Sequence, residues 1–346
     1  MKKLFFFILT VISLFLIYLN FVDKKNWQVY QADEKSLSAP VIDESLALPF
    51  QELTIPYLRK RTYQSQLGNL QEVSRNNNFI SYLTSYDSDG LRIEALLTKP
   101  VGDTPTGGWP AIIFIHGYIP PTEYRTREKY VDYVNSLASS GFVVFKIDLR
   151  GHGNSEGEAG GAYYSSDYII DALNARAALE GTDFVDAKRI GLWGHSMAGN
   201  VVLRSLVSRP EIKAAVIWAG AVFNYEDWRE LGLNDGSYRP SGVLSNRQEQ
   251  RRLLFTTHGE FSIESEFWQK VVATNYLTDL KGAIQLHHAV NDSVVSVDYS
   301  RGLATLLEQA GVDHEFHEYR SGGHNLTGSS FSQAMFRTIE FFKKWL

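Results

Sequence analysis

The chain has 346 residues, 44% apolar and 21% charged, with a net charge of −5 and both signs interspersed. Its basic clusters are no longer than Arg59-Lys60-Arg61 and Arg251-Arg252, which gives no footing for a nucleic-acid partner. Cysteine is absent, which excludes disulfides, thiolate metal sites and a cysteine nucleophile.

In chain order, Lys2-Lys3 precede an apolar stretch from Leu4 to Val22, interrupted only by Thr10, Ser13 and Asn20. A helix of that length spans about 28 Å, roughly a hydrocarbon core. The end of the stretch, Leu19-Asn20-Phe21-Val22-Asp23, offers no A-x-A-like cleavage site. Residues 1–25 therefore read as a signal-anchor, a transmembrane helix that leaves the catalytic domain extracytoplasmic; secretion after cleavage is the alternative. Residues 26–78 are polar, contain Pro40, Pro49 and Pro56, lack long periodicity, and read as a stalk and N-terminal extension.

From residue 79 the patterning changes. Phe79–Tyr86 and Leu91–Thr98 are rich in β-branched and aromatic residues and flank the turn cluster Asp87-Ser88-Asp89-Gly90, which predicts an antiparallel hairpin. Strands near 111–115, 142–148, 189–193, 213–219, 283–288 and 314–319 then alternate with helices near 126–139, 165–180 and 198–208. Such alternation predicts a mostly parallel, doubly wound α/β sheet over 79–346. About 300 residues remain after the N-terminus is removed, enough for one domain that buries about three quarters of its unfolded surface. Between 221 and 282 the alternation lapses into a segment rich in Tyr225, Trp228, Tyr238, Phe255, Phe261, Phe267 and Trp268, which reads as an inserted cap. Its aromatics either shape a substrate pocket or form the cap's own core.

Three segments carry the chemistry. Gly194-His195-Ser196-Met197-Ala198-Gly199 follows the apolar run ending at Trp193, and places a serine where a strand turns sharply into a helix. Small residues are needed there because strand and helix backbones nearly touch. Gly194 satisfies this; Ala198 replaces the usual glycine, and Gly199 follows at once. Asp292 comes just after the strand ending near His288, and His324 lies in Ser321-Gly322-Gly323-His324-Asn325 after the last strand. Asp298 is the nearest substitute acid but begins a helix. His116, His152, His195, His287, His288, His314 and His317 compete with His324, and none lies in a comparable Gly-Gly loop. His287 and His288 point to opposite strand faces and form no paired metal site.

The order Ser, Asp, His, together with Ile112–Ile115 ending in His116-Gly117-Tyr118 and with Asp148-Leu149-Arg150-Gly151-His152-Gly153-Asn154-Ser155, resembles the α/β-hydrolases of the prolyl-oligopeptidase (S9-type) and dienelactone-hydrolase-like group. The resemblance covers residues 79–346. It implies the α/β-hydrolase fold, with Ser196 attacking a carbonyl, His324 taking the hydroxyl proton and Asp292 holding the imidazole. The oxyanion would lie between the backbone N–H groups of Tyr118 and Met197. His116 and Asp148 would brace nearby loops. No metal or organic cofactor is required.

Three functions fit. A carboxylic-ester hydrolase is favoured because too few residues precede Phe79 for an upstream propeller domain. A serine peptidase for short peptides follows from the resemblance and from cap carboxylates such as Glu226 or Asp227, which would hold an amino terminus. A non-catalytic binding protein with a hydrolase fold is disfavoured by the competent triad residues.

Overall fold

Two residues with positive φ start the sheet. Asp89 (φ 57°) and Gly90 (φ 78°) link β2 (Phe79–Ser88) to β3 (Leu91–Pro100), and the two strands pair antiparallel along their whole length. Left-handed backbone at both central positions matches the right-handed twist of paired strands. The computed structural model describes residues 49–234 and 246–346. The expected anchor over 1–25 lies outside them, as do residues 26–48 of the expected stalk. Among the described residues, no helix is long and apolar enough to cross a membrane.

The described residues form a nine-stranded sheet in the order β1-β2-β3-β5-β4-β6-β7-β8-β9. β1 (Gln71–Arg75), β2 and β3 are antiparallel. β4 (Trp109–Ile115), β5 (Val143–Ile147), β6 (Val185–His195), β7 (Ala214–Trp218), β8 (Ala283–Ala289) and β9 (His314–Tyr319) run parallel to one another. All residues of β5, β7 and β8 are buried, as expected for parallel strands covered on both faces. The edge strand β1 is short, polar and mostly exposed, which blunts the sheet edge.

Helices α1 (Ile55–Lys60), α2 (Val131–Ser139), α3 (Asp167–Glu180), α4 (Ala198–Ser208), α8 (Asp298–Gln309) and α9 (Ser329–Trp345) surround the sheet; α5 (Tyr225–Leu231), α6 (Asn246–His258) and α7 (Glu266–Val271) lie between β7 and β8. Those three helices lie within 221–282, where the sequence leads us to expect an inserted cap. Arg150, from the loop after β5, forks onto the buried Asp171 of α3 with contacts of 2.6–3.1 Å, while Ser88 donates to the same carboxylate at 2.7 Å. That pair pins the Asp148–Ser155 loop to the helix beneath it.

The stalk reading fails for residues 49–78. Leu53, Ile55 and Leu58 are at most 1% exposed, and Arg209 donates to the carbonyls of Leu58, Arg59 and Arg61. Residues 48–346 form one compact unit. A short polar segment with prolines hides this in the sequence, because its few buried apolar residues show no periodicity and its remaining ties, such as the Arg59–Asp279 ion pair and the Arg209 bonds, reach far along the chain.

Candidate active site

The loops after β4, β6, β8 and β9 meet at the carboxyl ends of the parallel strands, where open α/β sheets place their ligands. Only Ser196 and Met197 separate β6 from α4, and Ser196 has φ 56°. Left-handed backbone at a residue with a side chain costs on the order of 1–3 kcal/mol. It is held there by its own peptide: the Ser196 N–H donates to the Trp218 carbonyl at 2.9 Å, and its carbonyl accepts from Gly199 at 2.8 Å and Ala221 at 3.1 Å. A Cβ on Gly194 would stand 2.7 Å from Val202 Cγ2, and one on Gly199 would stand 2.7 Å from Gly220 Cα. The fully buried Ala198 methyl is accommodated. The second obligatory glycine is therefore Gly199.

The Asp292 side chain is fully buried and takes four donors. His324 Nδ1 lies 2.7 Å and His288 Nε2 3.2 Å from Oδ2, while the Val294 and Val295 amides donate to Oδ1 at 2.8 and 3.0 Å. Burial would push this carboxyl up, but the hydrogen bonds from His288 and His324 and the His324 charge hold it well below the usual range. An ionised Asp292 makes Nδ1 of His324 the protonated nitrogen and leaves Nε2 as proton acceptor. Asp298 does not compete, because it heads α8 and pairs with Arg301 at 3.0 Å.

His324 sits after Gly322 (φ 122°) and Gly323 (φ 61°), and the Gly323 amide donates to Asn291 Oδ1 at 3.0 Å, so the loop that carries His324 is tied to the loop that carries the acid. The His324 side chain keeps 17% exposure, whereas that of His288 is fully buried. Only the former can reach a substrate. The His324 ring lies against that of His195, the residue before Ser196, with centroids 4.7 Å apart. Among the described residues no hydrogen bond joins Ser196 Oγ to His324; in substrate-free enzymes such contacts are often long or poorly aligned.

Met197 heads α4, where the first amides of a helix have no intrahelical acceptor. The Gly117 N–H donates to Tyr130 OH at 2.9 Å, and Tyr118 follows it in the same loop. His116 is fully buried, with Nδ1 2.7 Å from the Gly117 carbonyl, and burial pulls its pKa down to about 3. Asp148 accepts from Tyr124 OH at 2.6 Å and from Thr126, and burial pushes its carboxyl up to about 6. Both residues brace loops.

Several contributors escaped the sequence reading. His288 sits on a strand in a run of apolar residues, and nothing local marks it as a second donor to Asp292. Tyr130 and Asn291 reach partners 65 and 32 residues away. The expected amino-terminus carboxylates are already engaged: Asp227 caps α5 by accepting from the Phe223 and Asn224 amides, and Glu226 pairs with Arg229 at 2.9 Å. Five of the insertion's aromatics, Tyr225, Phe255, Phe261, Phe267 and Trp268, cluster with Leu53 and Leu254 as its own core. Tyr238 lies outside the described residues.

Residues 110–237 match the serine aminopeptidase S33 family. Dipeptidyl peptidase 8 of Mus musculus is 32% identical over 141 residues, which cover 38% of this chain and 15% of that protein. Among solved structures, dipeptidyl peptidase 4 of Porphyromonas gingivalis superposes with a TM-score of 0.60 at 21% identity, over 78% of this chain and 36% of the other. Acetyl xylan esterase from Paenibacillus sp. R4 gives 0.59 at 19% identity, over 84% and 92%. The chain thus spans only a small part of the peptidase relatives but nearly the whole length of the esterase. At these identities the superpositions establish a common fold.

Proposed function

We propose that this chain, a member of the α/β-hydrolase superfamily, is a serine hydrolase that cleaves carboxylic esters through an acyl-enzyme on Ser196. The observation that carries this reading is the buried Asp292 carboxylate bound at 2.7 Å to the Nδ1 of a partly exposed His324, beside the strained elbow at Ser196. His324 Nε2 takes the Ser196 proton as Oγ attacks the ester carbonyl, then returns it to the leaving alcohol. The Tyr118 and Met197 amides receive the oxyanion, each donor being worth about 3 kcal/mol of barrier. Water, deprotonated by the same imidazole, releases the acid.

Esters are favoured over peptides by two facts. Glu226 and Asp227, the two insertion carboxylates expected to hold a substrate amino terminus, are already engaged. The acetyl xylan esterase, an ester-cleaving relative by its name, matches over 92% of its length, whereas the peptidase structure matches over 36%. The second reading, hydrolysis of short peptides, rests on the S33 family match and the dipeptidyl peptidase relatives. The apolar segment within residues 1–25 supports attachment to a membrane, with the hydrolase domain outside the cytoplasm. A fluorophosphonate probe tests the nucleophile: the wild type is labelled and Ser196→Ala is not. Comparison of p-nitrophenyl esters with aminoacyl-p-nitroanilides tests the substrate class, and a higher kcat/KM on the anilides would replace the ester reading by the peptide one.

A further inference from the structure

The residue before the nucleophile does more than fill a position. His195 is 3% exposed, and both ring nitrogens are used. Nδ1 lies 2.8 Å from Tyr130 OH, and Nε2 lies 2.9 Å from the backbone carbonyl of His324. A carbonyl only accepts, so Nε2 carries the proton and Nδ1 accepts from the Tyr130 hydroxyl. That hydroxyl in turn accepts from the Gly117 N–H at 2.9 Å. The direction of every bond is therefore determined: Gly117 N–H to Tyr130 oxygen, Tyr130 O–H to His195 Nδ1, His195 Nε2–H to His324 carbonyl. Each member is used to capacity without ionising. Burial pulls His195 down to about 3 and pushes the Tyr130 phenol above its ordinary range, so both stay neutral across the working pH range.

Sterics enforce the same contact. A Cβ at Gly117 would stand 2.9 Å from Tyr130 OH, 3.0 Å from the His195 carbonyl oxygen and 3.1 Å from His195 Nδ1. Tyr130 itself sits at φ 60° at the start of α2 and lies edge-on to Phe114 of β4, with centroids 5.4 Å apart. Its hydroxyl thus springs from a buried, sterically defined platform.

We propose that Tyr130 and His195 form a hydrogen-bonded strut of positioning residues that holds the His116–Gly117 peptide and the His324 backbone at fixed distances from Ser196. The inference rests on the serine hydrolase reading above. The strut spans three loops that share no sequence proximity: the oxyanion loop after β4, the elbow after β6 and the histidine loop after β9. Anchoring the His324 carbonyl fixes the backbone from which the imidazole swings, while Asp292 fixes the ring.

The test uses Tyr130→Phe, His195→Gln, His195→Leu and the Tyr130→Phe/His195→Leu double variant in the full chain, with active sites counted by fluorophosphonate titration. Kinetics are then read per labelled site on a p-nitrophenyl ester. Tyr130→Phe and His195→Leu are expected to lower kcat about 10- to 100-fold with KM within about threefold, because small misplacements of catalytic groups have effects of that order. His195→Gln, whose amide can still donate to the His324 carbonyl, recovers part of that loss. The double variant is no worse than the poorer single one, because both break the same chain. A role in stability alone would lower the melting temperature and the labelled fraction but leave kcat per labelled site within about twofold; that result, or multiplicative effects in the double variant, overturns the strut. A wild-type chain that takes no label overturns the serine hydrolase reading and the strut with it, whereas a labelled wild type with unaffected variants overturns only the strut.

Discussion

The catalytic end of the sheet and the insertion between β7 and β8 are both built from aromatic and titratable side chains, yet they use them in opposite ways. Around Ser196, rings are held by hydrogen bonds to backbone: His195 to the His324 carbonyl, His116 to the Gly117 and Asp148 carbonyls and His288 to the Val295 carbonyl. In the insertion, rings are held mainly by one another. Tyr225 stacks at 4.7 Å on Tyr164 from the loop before α3, His258 stacks on Phe267 at 3.6 Å, and the fully buried Trp268 meets Phe255, Phe261, Phe267 and Tyr225. Directional bonds define geometry to a few tenths of an ångström, as catalysis requires. Stacking and dispersion fill space with looser angular demands, so the insertion can change its shape at lower cost.

The sharpest way to break this contrast is Asp292→Asn. It keeps the shape of the acid but removes the charge that selects the His324 tautomer, and kcat per labelled site on a p-nitrophenyl ester should fall by about 10⁴-fold, with a lower melting temperature because one of the two acceptor oxygens becomes a donor. A loss under tenfold would mean that Asp292 is structural, and that the two regions differ less than argued here.

Trp268→Ala probes the other region. Emptying its site should cost about 3–5 kcal/mol in urea denaturation, with kcat on p-nitrophenyl acetate retained within a few-fold in the remaining folded enzyme. A large loss of kcat would show that the insertion's core transmits order to the triad. Gly199→Ala brings the elbow under the same test. Its new methyl would stand 2.7 Å from Gly220 Cα, backbone that cannot swing aside, so the expected cost is about 1–3 kcal/mol of stability, accompanied by slower fluorophosphonate labelling.

Per histidine and per pH unit, the effect of acid is the smallest. His116 and His195 have folded pKa values of about 3, and His287 lies well below its ordinary value, all because of burial. The unfolded chain binds protons on these rings below about pH 6.5 while the native chain does not. Their contribution to stability is complete above that pH and is lost as pH falls toward 3, by about 1 kcal/mol per pH unit for each histidine. Urea midpoints between pH 7 and 5 check the sign; a midpoint that rises on acidification would show that these rings are charged in the fold.

Much of the molecule is legible in one dimension because its signals are local. The hairpin shows in Asp89-Gly90, and the parallel core shows in short β-branched runs at the spacing of crossover helices. Ser196, Asp292 and His324 stand out because each directly follows such a run, within a few residues of a strand end. The elements that were misread or missed have no local signature. Residues 49–78 read as a stalk, yet Arg209 gathers their carbonyls from 148–151 residues away.

By itself the sequence determined the order of strands and helices, the turn chemistry and the three residue types at the ends of β6, β8 and β9, because periodicity, backbone strain and side-chain chemistry are properties of neighbours. Only the tertiary structure decided which histidine beside Asp292 is partly exposed and which is fully buried, that Gly199 is a glycine whose Cβ would meet backbone, and that His195 spans to another loop. Those outcomes depend on distances between segments remote in the chain. Such distances exist only once the sheet has brought the strand ends together.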